Sequence, residues 1–126
     1  MDQSVLRQYA ELKAEIKDLK TRIEKLEREI RQTEKDSSYD RKRNMLSTIL
    51  CYLKQKEEEL VEQTNKIYEY IDKIPSGEIR MMFRFYYIDD LNWNQVAHRM
   101  NQVFPKRCFT EDSCRMKNKR FFKKTE

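Results

Sequence analysis

Side chains suited to binding chemistry are concentrated in the C-terminal part of the sequence, where cations outnumber acids. Residues 75–126 carry 11 lysines and arginines against 6 acids, which accounts for the whole net charge of +5, whereas residues 1–74 carry 16 of each. Within residues 105–125 the count is 8 against 2. Because the excess is confined to one segment, it creates a directed positive field that attracts polyanions.

Side chains that perform catalysis or bind metal are sparse by comparison. His98, Cys108 and Cys114 are candidates for a shared zinc ion, but their spacing matches no usual zinc site. With Cys51 the cysteines number 3 and form no CxxC pair, which favours free thiols in a reducing compartment. The sequence has no glycine-rich phosphate loop and no nucleophile beside a base. It therefore predicts a protein that is not an enzyme, with no cofactor, no metal ion and no small-molecule substrate.

The composition predicts that helices position these side chains. Charged residues make up 39% of the chain and hydrophobic residues 38%, with 1 glycine and 2 prolines. So few backbone breakers, combined with regularly spaced apolar residues, favour an all-α fold over disorder. No apolar run approaches the length of a membrane span, and the first residues lack the apolar core of a secretion signal. We therefore expect a cytoplasmic protein that does not bind membranes.

The cation-rich segment is predicted to form the last of three short helices. Thr110 can cap this helix, and the two acids that follow it suit the positive end of the helix dipole. Cys114 and Phe121, which stand seven residues apart, are predicted to form its inner face. Phe122 is expected to cover a neighbouring gap.

Two further helices are predicted before it. Residues 78–88 are predicted to form a helix whose inner face carries Ile79, Met82, Phe83 and Tyr86. Asn92 can cap the next helix, and Gln95 would complete a capping box. The inward candidates on that helix are Trp93, Val96, Ala97 and Met100, with Trp93 as a core residue rather than a base-stacking platform. The turn to the last helix is expected to span residues 101–109.

Three short helices of which the last is basic describe a helix-turn-helix, a motif that inserts one helix into the major groove of DNA. The first turn of such a helix reaches base edges, while flanking cations meet phosphates. The side chains expected to face bases are Asp112, Ser113, Arg115, Met116 and Lys119. Those expected to contact phosphates are Lys106, Arg107, Lys117, Arg120, Lys123 and Lys124. The alternative for this segment is a solvated, lysine-rich helix without a ligand.

The residues before Pro75-Ser76-Gly77 predict a separate coiled-coil domain. This tripeptide holds the sole glycine, so we expect a boundary between a domain of residues 1–74 and a domain of residues 75–126. In the first arm apolar residues recur at steps of three and four, as in a coiled-coil seam: Val5, Tyr9, Leu12, Ile16, Leu19, Ile23, Leu26 and Ile30. The second arm continues the register with Leu46, Leu50, Leu53, Leu60, Ile67, Ile71 and Ile74.

Two arrangements of these arms are open. A polar segment with a bend expected at Asp36-Ser37-Ser38 favours an antiparallel hairpin over a single long helix that dimerises in parallel. The apolar face of the second arm is widened by Met45, Ile49, Tyr52, Val61 and Tyr68. Because such a face needs a further partner, we expect a homodimer. The residues expected in coiled-coil and dimer contacts are Leu12, Ile16, Leu19, Ile23, Leu26, Ile30, Leu50, Leu53 and Leu60.

The segment from Arg80 to Ala97 resembles the start of region 4 of sigma-70-type factors. It is closer still to phage and prophage proteins of Gram-positive bacteria that share this fold, including the ArpU-type late-gene regulators. The pattern Tyr-x-x-x-Leu-x-Trp-x-x-Val-Ala is matched by Tyr87, Leu91, Trp93, Val96 and Ala97. Residues 110–124 resemble the recognition helix of these proteins.

The resemblance implies a sigma region 4-like helix-turn-helix domain. By this similarity Asp112, Arg115 and Met116 fall where the family places base-reading side chains. The sequence departs from the family in the turn, which usually has three or four residues and a glycine, whereas residues 101–109 include Pro105.

Two functions remain as expectations. The first is a phage or prophage transcription regulator that binds double-stranded DNA as a homodimer in the cytoplasm of a bacterial host cell. The second is a coiled-coil interaction module that binds RNA polymerase or a host defence protein without reading DNA.

Overall fold

A computed structural model describes residues 3–33 and 37–125, and within these residues the chain forms helices and no strand. The helices are α1 (Gln3–Gln32), α2 (Tyr39–Asp72), α3 (Gly77–Phe83), a π-helical turn (Arg84–Ile88), α4 (Trp93–Val103) and α5 (Glu111–Thr125). The predicted all-α fold is confirmed. None of the described helices is both long enough and apolar enough to cross a membrane.

The described chain divides into two compact units. One unit contains residues 8–63, and the other contains the chain up to Arg7 together with the residues from Thr64 onward. Pro75, where a domain boundary was predicted, lies in the break between two helices, since α2 ends at Asp72 and Ser76 caps α3. This break does not coincide with the limits of the two compact units. The Ser76 hydroxyl accepts a hydrogen bond of 3.3 Å from the third residue of that helix.

The first unit is an antiparallel hairpin of α1 and α2. Close to the bend, Lys42 Nζ lies 3.5 Å from Thr33 Oγ1. Further from the bend along both helices, Lys56 Nζ lies 3.8 Å from Glu15 Oε1. Residues further from the bend on α1 therefore contact residues further from the bend on α2. This antiparallel pairing confirms the hairpin and excludes the single long helix.

The bend lies in the polar segment, where it was predicted. Ser37 and Ser38 form a turn directly before Tyr39, the first residue of α2. Asp36, the third residue of the predicted bend, lies outside the described residues. The hairpin is also joined by Lys20 and Glu57, whose charged atoms are 4.0 Å apart. Both side chains are more than half exposed, so this pair contributes at most about 1 kcal/mol, and apolar packing supplies most of the stability.

The apolar repeat of α1 is largely confirmed by burial. Its buried residues are Leu6, Tyr9, Leu12, Ile16, Ile23 and Leu26, and Leu19 and Ile30 are half-buried. The assignment of Val5 to the seam is wrong, because Leu6 takes the buried position and Val5 is exposed.

The apolar residues of α2 are covered less completely. Leu46, Leu53 and Leu60 are half-buried, whereas Leu50, predicted as a seam residue, is 46% exposed. The side chains predicted to widen the apolar face are mostly open to solvent, and the exposed ones are Met45, Tyr52, Val61 and Tyr68. One α1 helix does not cover the full apolar width of α2.

Phe83 lies at the centre of the core of the second unit. Its side chain is fully buried, and Met82 beside it is 1% exposed. The Phe83 ring centroid is 5.0 Å from that of Phe121, 5.3 Å from that of Tyr87 and 5.7 Å from that of Phe122. Edge-to-face and stacked contacts of this kind add to the stabilisation from burial, so the cluster ties α5 to the segment around Phe83.

Several predictions about the inner faces of these helices are wrong in detail. Cys114 is buried as predicted, but Phe122 and not Phe121 is the fully buried aromatic side chain of α5. Ile79 on α3 is half-buried, whereas Met82 is buried as predicted. Both helices therefore turn the predicted side inward, but Ile79 and Phe121 on that side are only half-buried.

The largest departure from the predicted helix over residues 78–88 is the π-helical turn at Arg84–Ile88. Its defining hydrogen bond runs from the Asp89 N–H to the Arg84 carbonyl at 3.0 Å. A π turn inserts one extra residue and rotates the side chains that follow it. Within this turn Phe85 is buried, and Tyr86, predicted on the inner face, is only half-buried.

We expect Phe83→Ala to destabilise the second unit by about 3–5 kcal/mol, since it empties a fully buried aromatic site. Val61→Ala provides a control at a side chain that is 61% exposed, and we expect a change of about 0.5 kcal/mol or less. Urea unfolding followed by near- and far-ultraviolet circular dichroism measures both. A loss below about 1 kcal/mol in Phe83→Ala would contradict the central role of this ring.

Candidate nucleic-acid interface

Helix α4 begins with the predicted capping box. The Gln95 N–H donates to Asn92 Oδ1 and the Asn92 N–H donates to Gln95 Oε1, both at 2.9 Å. Val96, Ala97 and Met100 are buried, as the sequence predicted. These contacts fix where α4 starts and which side it turns to the core.

Trp93, predicted as a core residue, is only half-buried. Its ring stacks on Tyr86, with the ring centroids 3.8 Å apart and the planes 11° from parallel. Tyr86 lies in the π turn before α4 and is itself half-buried. The two stacked rings are partly exposed at the start of α4.

The connection from α4 to α5 is held by the side chain of Asn101. Asn101 Oδ1 accepts from the Phe109 N–H at 2.7 Å, and Asn101 Nδ2 donates to the Phe109 carbonyl at 3.0 Å. Phe109 is buried, and its ring centroid is 6.1 Å from that of Phe104. The connection is shorter than the predicted 101–109, because α4 continues to Val103.

Thr110 caps α5 as predicted. The Ser113 N–H donates to Thr110 Oγ1 at 3.1 Å, and the Thr110 N–H donates to Ser113 Oγ at 2.9 Å. This reciprocal pair satisfies two backbone donors at the start of the helix. Ser113 was predicted to face bases, but its hydroxyl is engaged in the cap and its side chain is half-buried.

Helix α5 has one buried face and one exposed face. Cys114 and Phe122 are buried, and burial raises the pKa of the Cys114 thiol. On the opposite side an exposed stripe follows the helical repeat and consists of Asp112, Arg115, Met116, Lys119 and Lys123. The structure thus brings four of the five predicted base-facing residues onto one open face, with Ser113 set apart from them.

A hydrogen bond joins the buried side of α5 to the π turn. The Tyr87 hydroxyl donates to Asn118 Oδ1 at 2.6 Å. Burial raises the pKa of Tyr87 above its ordinary value, so the phenol stays protonated and keeps donating. This pair was not predicted from the sequence. The signal that could have indicated it is Asn118, an uncharged polar residue within a run of cations.

Acids of the same helix neutralise Arg115. Its guanidinium lies 2.5 Å from Glu111 Oε1 and 3.2 Å from Asp112 Oδ1. These pairs are solvent-exposed and span one helical turn, so they are weak and exchangeable. Arg115 can donate to another anion only in competition with these two carboxylates.

Two of the predicted phosphate ligands share one acid. Arg107 Nη1 pairs with Glu78 Oε1, and Lys117 Nζ lies 3.7 Å from Glu78 Oε2. Both cations also lie against the Phe109 ring, with Arg107 Cζ at 5.5 Å and Lys117 Nζ at 4.7 Å from its centroid. Glu78 was not identified from the sequence, because it precedes Arg107 by 29 residues.

The remaining candidate phosphate ligands are more open. Within the part of the chain that the structure describes, Lys106, Lys119, Arg120 and Lys123 are exposed and have no ion-pair partner. The side chain of Lys124 lies outside the described residues. Three cations of α5 and one of the connection therefore carry unneutralised positive charge.

The residues weighed for zinc lie in different environments. Cys114 is buried and Cys108 is exposed, and both are free thiols. His98 lies in a shallow groove on α4 that is lined by Leu91, Asn94, Gln95 and Arg99. Among the described residues, no three histidine, cysteine or acidic side chains gather as metal ligands.

Comparison of the chain with protein-family models, with curated proteins and with solved structures finds no match.

Tyr87→Phe tests the contact between the π turn and α5. We expect a loss of about 1–2 kcal/mol at neutral pH, because Asn118 loses its buried partner. Since the folded pKa of Tyr87 is raised above the unfolded value of about 10, its contribution is complete below that pH and declines as the pH rises above it. Urea unfolding from about pH 8 to about pH 11 should therefore show the difference between wild type and Tyr87→Phe narrowing above about pH 10.

Tyr68→Phe serves as the control for this measurement, since Tyr68 is exposed in the same unit and its substitution should alter neither the stability nor its pH dependence. A difference between wild type and Tyr87→Phe that stays constant across this range would show that Tyr87 is not held in its protonated form by burial.

Proposed function

We propose that the second unit binds duplex DNA through the exposed face of α5 and that the protein acts as a transcription regulator of the phage or prophage type. The observation that carries the proposal is the exposed stripe of α5, where Arg115, Lys119 and Lys123 lie opposite the buried Cys114 and Phe122. A helix of this width fits the major groove, in which side chains of its first turns reach base edges.

The placement of the helix start supports this reading. The Asn101 bonds to Phe109 and the Thr110 cap hold the beginning of α5 in one position, and a binding helix needs such a fixed register. Lys119 and Met116 follow on the same open face, at positions suited to contact bases. Lys106 and Arg120 flank them and are suited to contact phosphates.

The exposed apolar side chains of the hairpin support a second copy of the chain as a partner. Met45 and Tyr52 are about half exposed and stand seven residues apart, at the same position of successive heptads. Residues 1–74 carry equal numbers of acids and cations, so no net charge opposes the pairing of two copies. A two-fold dimer would cover this edge of α2 in both copies at once and would present two α5 helices to one duplex.

The same apolar edge gives the alternative function its support. A hairpin that remains monomeric would leave Met45 and Tyr52 open for a different protein, and RNA polymerase or a host defence protein is the class expected from the sequence.

Lys119→Glu tests DNA binding at a side chain with no ion pair among the described residues. We expect duplex affinity to fall about tenfold or more and the log–log salt slope to decrease by about one unit, since one cation on the binding face is reversed. Fluorescence anisotropy of a labelled duplex across a salt series measures both quantities. Lys25→Glu, an equal charge change on the exposed side of α1, should alter neither strongly.

Absence of any duplex affinity of the wild-type protein at low salt would refute the proposal. Equal losses for Lys119→Glu and Lys25→Glu would place binding elsewhere than on the exposed face of α5.

Tyr52→Glu tests the proposed dimer. We expect the wild type to sediment as a dimer and Tyr52→Glu to shift it toward the monomer, because a charge at this position would be buried between copies. Ser47→Glu adds the same charge to an exposed position of α2 that lies about 140° around the helix from Tyr52, and it should leave the dimer intact. A monomeric wild type in sedimentation or light scattering would remove the dimer and favour a different protein as partner.

A further inference from the structure

Glu78 has an unusual position among the acids of the second unit, because two candidate phosphate ligands converge on it. One carboxylate oxygen pairs with Arg107 and the other lies 3.7 Å from Lys117 Nζ. The two cations belong to the connection and to α5, whereas Glu78 lies in the first turn of α3. Each oxygen of one anion is therefore met by a separate cation.

The two cations are brought together by more than this carboxylate. Both lie against the ring of Phe109, which is buried and whose backbone is bonded on both sides by Asn101. Their spacing is thus set by the fold of the connection and by the start of α5. A pair of cations held in this way forms a site for one anion with two oxygens.

The site is open enough for an external anion to enter. The Glu78 and Lys117 side chains are each 26% exposed and that of Arg107 is 56% exposed. Ion pairs at this level of exposure are weak because water and salt screen them. A stronger or multiply charged anion can therefore displace the carboxylate.

We propose that Glu78 is an internal competitor of DNA phosphate at an anion site formed by Arg107 and Lys117. This inference rests on the proposed function and adds a way in which the protein limits its own binding of DNA. A phosphodiester, like the Glu78 carboxylate, presents two oxygens that two cations can bind. A duplex that reaches this site must displace the carboxylate and remains next to its charge.

The competitor has a consequence for selectivity. Because Glu78 offsets one of the two positive charges of Arg107 and Lys117, a larger share of the sequence-independent attraction falls to the cations that have no such partner, such as Lys119 and Arg120. Phosphate contacts supply most of the affinity for non-specific DNA. Glu78 therefore lowers non-specific binding and increases the relative weight of contacts made by the exposed face of α5.

Glu78→Gln in the full chain tests the inference by anisotropy with a labelled duplex over a salt series. We expect binding roughly threefold to tenfold tighter and a log–log salt slope steeper by about one to two units, as Arg107 and Lys117 gain phosphates. Glu78→Ala is measured beside it, because glutamine keeps a carbonyl that accepts from Arg107. Glu24→Gln makes the same charge change at an exposed residue with no ion pair among the described residues and sets the baseline.

The double substitution Arg107→Gln and Lys117→Gln tests whether Glu78 alters duplex affinity through these two cations. In the Glu78→Gln background it should abolish the gain, and it should lower duplex affinity by a larger factor there than in the wild-type background, where Glu78 already competes for both cations. If the Glu78 variants bind no tighter than Glu24→Gln, the inference is overturned. Weaker binding would also overturn it and would show that Glu78 positions α3 against the connection.

An NMR titration with inorganic tripolyphosphate separates failure of this inference from failure of the proposed function. The Arg107 amide signal should shift at lower tripolyphosphate concentration in Glu78→Gln than in the wild type. If neither protein binds duplex but this difference is seen, the anion site stands and the proposed function falls. Equal shifts in the two proteins overturn the anion site whether or not duplex DNA is bound.

Discussion

The aromatic packing around Phe83 determines which face of α5 meets solvent. Phe83 contacts Phe121 and Phe122 of α5 and Tyr87 of the π turn, all with ring centroids within 5.7 Å. Successive residues of a helix are separated by about 100°, so a one-residue rotation of α5 would carry its cations toward the core. The orientation of the charged stripe is therefore set by apolar packing and by the hydrogen bond between Tyr87 and Asn118.

The structure also divides the cations into groups that a charge count treats alike. Arg115 is neutralised by acids of its own helix, whereas Arg107 and Lys117 share Glu78, which offsets one of their two positive charges. Other cations, of which Lys119 is the most central to the exposed stripe, keep their charge. The positive field that remains is smaller than the composition suggests and is concentrated along the open face of α5.

The hairpin unit leaves part of the apolar surface of α2 exposed to solvent. Its α1 side is well covered, since Leu12, Ile16 and Leu26 are buried, but α2 keeps Met45 and Tyr52 open at one edge. Exposed apolar side chains at heptad spacing cost free energy in water, and the proposed dimer would remove this cost.

The sequence alone determined the helical class, the capping residues Asn92 and Thr110, and the exposure of most candidate side chains on α5, and it favoured the hairpin over a single long helix. These features depend on local spacing and on hydrogen bonds between residues three or four positions apart, which a linear pattern contains. The tertiary structure decided the π turn, the stack of Trp93 on Tyr86, the choice of Phe122 over Phe121, and the pairing of Glu78 with Arg107. The packing of Phe121 and Phe122 on Phe83 and the pairing of Glu78 with Arg107 join residues distant in sequence, so the local pattern does not record them. The π turn and the stack of Trp93 on Tyr86 join nearer residues, but they depart from the regular α-helical spacing on which the prediction was based.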